Sequence, residues 1–326
     1  MDIDPQTLLR ARVAVNEAVQ QWIYDPNVVM IGFGWRERQN EYLRDELTIR
    51  VHIKEKFSRG PELQAAIREG ITRAAIPDTI RGFPVDRPVG TYRLQQFLSS
   101  WWWRPRSNRA RRADPMKGGI SISDAYRNIY ATLGGLVRDR QTRKDMILSN
   151  WHVLAGSWSA QQGQPIIQPG RGDGGNEADS VAKLSRHAMS SGLDAAVAEL
   201  TGRRTLINDQ FDLKPVKGAG HPMIGMQVVK SGRRTEITYG EVIEIGSTIR
   251  MTYRGGVERL INHVATIIPR PPSNIVSDGG DSGSLWCEES TMNAVALHFA
   301  GTDNPVQALA MDLQTVLDAL DVNLVT

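Results

Sequence analysis

Asp278-Gly279-Gly280-Asp281-Ser282-Gly283-Ser284-Leu285 is a small-residue turn, and every other segment of the chain takes its meaning from how that turn is read. Glycine admits backbone geometries that a Cβ resists. Such a turn can hold the Ser282 hydroxyl exposed while the N–H groups of Ser282 and Gly280 point at one spot beside it. Ordinary Gly/Asp/Ser turns share this composition, so the segment needs partners before it implies chemistry.

A nucleophilic serine requires a base, and the base requires an orienting carboxylate. Met146-Ile147-Leu148-Ser149-Asn150-Trp151-His152-Val153-Leu154-Ala155 reads as an apolar strand that delivers His152 into a short turn. Gly192-Leu193-Asp194-Ala195-Ala196-Val197-Ala198-Glu199-Leu200 then places Asp194 at the head of an apolar run. Taken singly, a histidine after an apolar run is a structural residue and an aspartate before one is a turn or cap residue. Taken together, they give the order His, Asp, Ser with domain-sized gaps. Two other acids lie between His152 and Ser282. Asp173 sits in a glycine-rich loop expected to be solvated, and Asp179, which leads into Ser180-Val181-Ala182-Lys183-Leu184, is the second choice for the acid.

These segments resemble the chymotrypsin/trypsin-like serine proteases, whose members carry the three groups in this order. The resemblance implies a mainly β fold of two six-stranded antiparallel β-barrels, with His152 and Asp194 on the first and Ser282 on the second. It implies Ser282 as nucleophile, His152 as base, Asp194 as its orienting acid, and the N–H groups of Gly280 and Ser282 as an oxyanion hole. Val228-Val229-Lys230-Ser231-Gly232-Arg233-Arg234-Thr235 through Gly240-Glu241-Val242 is similar to the hairpin that opens the second barrel of bacterial members. Ala294-Val295-Ala296-Leu297-His298-Phe299-Ala300-Gly301 is similar to the strand lining the primary specificity pocket. The N-terminal strand patterns Val28–Gly34 and Leu47–Ile53 resemble the extra domain of a bacterial and plant subgroup, the narrow-leaf type.

The resemblance also bears on specificity. In trypsins an Asp six residues before the nucleophile selects Lys or Arg. Here that position is Val276, so a preference for basic residues is not expected. Ser277 and His298 fall where bacterial glutamyl endopeptidases carry a Ser or Thr and a His, which implies a pocket for an acidic side chain. The alternative is a His298 satisfied by its neighbours, with Val276 making a small apolar pocket. Trypsin-like zymogens are activated when a freed apolar N-terminus pairs with the Asp before the nucleophile, here Asp281. Gly118-Gly119-Ile120 does not match the usual freed sequence, so activation by a protein partner is expected over activation by cleavage.

The chain has 326 residues, 40% hydrophobic and 23% charged, enough for two or three compact units. No apolar run reaches the ~18 residues of a membrane-spanning helix, and the acidic and basic residues near the N-terminus do not suit a signal peptide. Cys287 is the single cysteine, so no internal disulfide is possible, and a cytoplasmic location is expected. The net charge of +3 is local: Arg104, Arg106, Arg109, Arg111 and Arg112 stand in one run without an acid, unlike the charged folded face of a nucleic-acid-binding protein. No metal-ligand cluster or phosphate-binding glycine loop is evident, so no metal or cofactor is expected. The expected partners are a protein or peptide substrate and an activating protein.

Three regions follow. Residues 1–98 are expected to form a small α/β domain serving regulation or interaction. It comprises a helix over 6–23, strands at 27–35 and 47–53, a helix after Pro61 and a return strand over 80–94. His52 is expected on the outer face of its strand. Residues 99–115, with Trp101-Trp102-Trp103 and the arginines, read as an exposed linker with solvated arginines, open to cleavage. A membrane-surface anchor and a nucleic-acid stacking site are the other readings of that run. Residues 116–326 form the protease domain, closed by a helix over 312–320. A catalytically silent binding module on the same fold is the competing functional reading.

Overall fold

The computed structural model describes residues 3–39, 41–58, 60–95 and 107–326, and the backbone of 97 and 98. Trp101-Trp102-Trp103-Arg104-Pro105-Arg106, on which the linker reading mainly rests, lies outside them. The fold is mainly β, as expected, with its antiparallel strands gathered into two large sheets.

The first sheet carries the expected His and Asp segments on adjacent strands. Asp145–Ser149 pairs with Ala196–Leu200 in the register Leu148↔Val197 and Ser149↔Ala196. Ile147, Leu148, Val197 and Ala198 are all fully buried, so the apolar runs are strands covered on both faces. The second sheet contains the hairpin of Gln227–Gly232 with Glu236–Tyr253, register Val228↔Gly240 and Lys230↔Thr238. It continues through Leu285–Glu288, Asn293–Gly301, Ala308–Asp312 and Val257–Pro269. The closing helix, Leu313–Ala319, starts where the Asp312 carboxylate accepts the Thr315 N–H at 2.9 Å, a standard N-cap.

The N-terminal helix, Pro5–Trp22, is capped in the same way, with Asp4 accepting from Gln6 and Thr7. Its Ala11, Ala14, Val15 and Ala18 pack on Ile31, Phe33 and Val51 of the strands Val28–Arg38 and Glu41–Ile53. These strands are continuous with the second sheet. Glu236–Tyr253 spans 18 residues, long enough to pair with Gln227–Gly232 and then with Val28–Arg38 in the register Met30↔Ile249 and Phe33↔Ile245.

Three expectations change, two at this junction and one in the linker. His52 is buried, because its strand is covered on both faces where the N-terminal unit meets the second sheet. There Glu244, fully buried, accepts from Arg50 Nε at 3.0 Å and lies 2.9 Å from His52 Nε2. The single return strand over 80–94 is instead three pieces, Thr79–Ile80, Phe83–Asp86 and Arg93–Leu94, the last paired with Asn293–Gly301. Within the expected linker Arg111 and Arg112 are exposed, as anticipated, but Arg109 is 1% exposed. Its guanidinium donates to the Gly119 and Phe211 carbonyls and the Ser231 hydroxyl, and pairs with Asp212.

Removing one partner of a buried ionic cluster strands the others without solvent. Arg50 also serves Glu37 and Asp86. Arg50→Met is therefore expected to lower the unfolding free energy by about 3–5 kcal/mol, read from urea denaturation. A loss below about 1 kcal/mol, the scale of an exposed pair, contradicts this junction.

Candidate active site

His152 lies on the short helix Trp151–Leu154 that follows the Asp145–Ser149 strand. Asp194 precedes the neighbouring strand, and the structure brings the two together. The Asp194 carboxylate accepts the His152 backbone N–H at 2.9 Å and lies 2.5 Å from Nδ1. Tyr253, from the far end of the Glu236–Tyr253 strand, donates its hydroxyl to the same carboxylate at 2.9 Å. Burial and the Asp194 charge hold the Tyr253 phenol well above its ordinary range, so it remains a donor. With Nδ1 turned to Asp194, Nε2 is left as the free ring nitrogen, and it is buried with no hydrogen-bond partner among the described residues.

The alternative acids are elsewhere. Asp179 closes a capping box with Asn176 at the surface. Asp173, expected in a solvated loop, is buried and clamps Arg233 through two bonds of 2.7 and 2.6 Å. That pair ties a loop of the first sheet to the hairpin of the second.

The 278–285 turn is held from inside by Asp281, which is fully buried. One carboxylate oxygen accepts the Arg234 and Thr235 N–H groups at 2.9 and 3.1 Å. The other accepts from the Thr235 hydroxyl at 2.6 Å, Lys230 Nζ at 3.1 Å and the Asp278 N–H at 3.1 Å. Burial pushes this carboxyl up, but Lys230 and the Thr235 hydroxyl outweigh it and hold it at about 2. Two glycines are indispensable to the turn. Gly280 has φ +112°, and Gly283 has φ +96° with its Cβ position only 2.1 Å from the Thr132 carbonyl and 2.2 Å from Ser149 Oγ. Any side chain at 283 would force apart the loop bearing Ser282 and the strand leading to His152.

Ser282 departs from expectation in one respect. Its hydroxyl, expected to be exposed, belongs to a residue that is 0% exposed, and Oγ donates to the Phe299 carbonyl at 3.1 Å. The cover comes from the chain itself. The Gly280 N–H donates to the carbonyl of Gln95 at 2.6 Å, and His298 Nε2 meets Gln95 Oε1 at 2.6 Å. Val276 is buried in an apolar cluster with Val228, Val242 and Trp286, while Ser277 Oγ and His298 Nδ1 are buried without partners among the described residues. Gln95 was not singled out from sequence, since a glutamine just past the stretch read as a return strand carries no local signal.

No protein-family model and no curated protein matches this chain. Among solved structures the chain is similar to Thermobifida fusca protease A at 16% identity, covering 66% of this chain and all of that one, TM-score 0.48. It is similar to Nocardiopsis protease at 17% identity with the same coverage and TM-score 0.48. A glutamic-acid-specific serine protease aligns at 15% identity, covering 64% of this chain and all of that one, TM-score 0.47.

Burial, reinforced by the Lys230 charge, lowers His298 to about 3. An unfolded histidine takes up its proton near 6.5. The native state is thus fully favoured above pH 6.5 and loses that advantage as pH falls toward 3, by on the order of 5 kcal/mol at the limit. Wild type should lose stability between pH 6.5 and 4, and His298→Gln should flatten that slope in urea titrations. Equal slopes for the two proteins contradict a buried neutral imidazole.

Proposed function

We propose that this chain is a serine endopeptidase of the chymotrypsin-like kind, acting on protein or peptide substrates. The observation that carries the reading is the buried Asp194–His152 pair, which leaves Nε2 without a partner among the described residues, beside a strand end, Ser149, that Gly283 of the Ser282 loop abuts. In this reading the Ser282 hydroxyl rotates away from Phe299, gives its proton to Nε2 and attacks the scissile carbonyl. Asp194, fixed by Tyr253 and two His152 N–H groups, keeps the imidazole in the tautomer that leaves Nε2 basic and stabilises the imidazolium that forms. The Gly280 N–H, with that of Ser282, receives the oxyanion. His152 then protonates the leaving amine, and water hydrolyses the acyl-enzyme.

The domain organisation is part of the same proposal: residues 116–326 as the catalytic unit, 99–115 as a connector and 1–98 as the regulatory or interaction unit. The buried Lys230–Asp281 pair supports a nucleophile loop that is ordered without a freed N-terminus, and hence gating by means other than activation cleavage.

A fluorophosphonate probe should label the wild type at Ser282. Ser282→Ala should abolish labelling, and Asp194→Asn should slow it by several orders of magnitude, because members of such a set act as a unit. Asp179→Asn should label at the wild-type rate. Normal labelling of Asp194→Asn with loss in Asp179→Asn reverses the assignment of the acid, and no labelling of the wild type defeats the proposal.

A further inference from the structure

The stretches 92–95 and 97–98 are both seated on strands beside the candidate site, and the contacts of 93–95 are ones a peptide substrate needs. Leu94 and Arg93 pair antiparallel with Ala300 and Gly301 at the edge of the second sheet, and the Gln95 N–H donates to the Phe299 carbonyl at 3.2 Å. Beyond the site, Phe97 and Leu98 pair antiparallel with Tyr130 and Ile129 at the edge of the first sheet. The two stretches therefore lie on different sheets, and the carbonyl that the Gly280 N–H of the Ser282 turn meets is that of Gln95. Gln95 is 4% exposed, with its side chain directed to His298. Upstream, the Tyr92 hydroxyl lies 2.7 Å from His52 Nδ1 and donates to Gln307 at 3.1 Å. The segment is thus anchored in the Arg50–Glu244–His52 cluster at the junction with the N-terminal strands.

We infer that the chain is its own substrate: Ser282 cleaves the peptide bond joining Gln95 to Gln96 within the same molecule, and the pocket around His298 selects a glutamine side chain. This rests on the peptidase reading above. The Ser282 Oγ–carbonyl bond forms as the C–N bond to Gln96 breaks. The hydroxyl proton passes through His152 Nε2 to the departing amine of Gln96. A water then adds to the ester, freeing Ser282 and leaving Gln95 as a carboxylate terminus.

The pocket chemistry explains why the side chain is a carboxamide. A buried imidazolium requires an acceptor at each nitrogen, yet His298 has only Gln95 Oε1 at Nε2 and nothing at Nδ1 among the described residues. The ring is therefore neutral, in line with its lowered affinity for protons. A neutral N–H suits an uncharged carboxamide, whereas a carboxylate would bring an uncompensated charge into a dry site. This replaces the imidazolium–carboxylate pairing that the sequence suggested, and it keeps His298 as the selecting residue. The cleaved halves are expected to stay together, since Val28–Arg38 remains paired with Glu236–Tyr253.

The test follows full-length wild type, Ser282→Ala, Gln95→Glu and Gln95→Arg by intact mass and N-terminal sequencing over time, at several protein concentrations. Fluorophosphonate labelling of wild type runs in parallel, and a melting curve checks that each variant is folded. Wild type should convert to two fragments, residues 1–95 and 96–326, at a rate independent of concentration, while Ser282→Ala stays whole. Gln95→Glu should slow conversion by about tenfold or more at neutral pH, and Gln95→Arg should block it. If Gln95→Arg does not fold, Gln95→Glu alone decides the role of the side chain. Wild type that stays whole while Ser282 is labelled overturns the inference and leaves the peptidase reading standing. Cleavage at another bond, or a rate that rises with concentration, also overturns it. Absence of both labelling and cleavage removes the peptidase reading and this inference with it.

Discussion

A single buried carboxylate organises the site. Asp281 has no access to solvent and receives five hydrogen bonds, from Lys230, the Thr235 hydroxyl and three backbone N–H groups. Burying such a charge is costly unless it is paired and saturated with donors. The Gln227–Gly232/Glu236–Tyr253 hairpin meets that demand by bringing Lys230, Arg234 and Thr235 to one point. The consequence is a turn whose preceding residue, Gly280, holds its N–H toward the cleft. Lys230 supplies the counter-charge to Asp281 from within the chain, so the turn is held by the fold's own groups.

The strand Glu236–Tyr253 extends that organisation beyond the loop. Its first residues close the hairpin around Asp281, its middle presents Glu244 to Arg50 and His52, and its last residue, Tyr253, orients Asp194. The 278–285 turn, the imidazole–carboxylate pair and the N-terminal unit therefore share one element. Because Tyr92 contacts His52 of the same cluster, the position of the 92–95 segment in the cleft is coupled to the seating of the N-terminal strands. Displacing those strands would withdraw the segment's anchor, a physical route by which a partner bound to the N-terminal unit could control access to Ser282.

Much of this was legible in the sequence where local pattern determines structure. The apolar runs around His152 and Asp194 became adjacent strands, the Gly280 and Gly283 positions require glycine, and the Pro5–Trp22 and Leu313–Ala319 helices begin at aspartate caps. What escaped reading depends on long-range packing. The period-two alternation at Leu47–Ile53 placed His52 outside, because alternation does not reveal that a second layer covers the other face. Asp173 looked solvated because glycines surround it in sequence, while its partner Arg233 lies 60 positions away. Arg109 belonged to a charge run, yet a pocket formed by Gly119, Phe211 and Ser231 takes it in. Gln95 is the clearest case, since its significance comes wholly from its long-range contacts with Gly280, His298 and Phe299.

The most direct test of the account is the fluorophosphonate reaction rate of Lys230→Met, measured on protein whose melting transition shows it to be folded. Loss of the ammonium leaves Asp281 buried without its counter-charge, so the turn should relax and the Gly280 N–H should leave the cleft. The account predicts a rate reduced by about 10² or more, the scale of a lost oxyanion donor. A folded Lys230→Met protein that reacts at the wild-type rate would contradict the claim that the Asp281–Lys230 pair sets the geometry of the site.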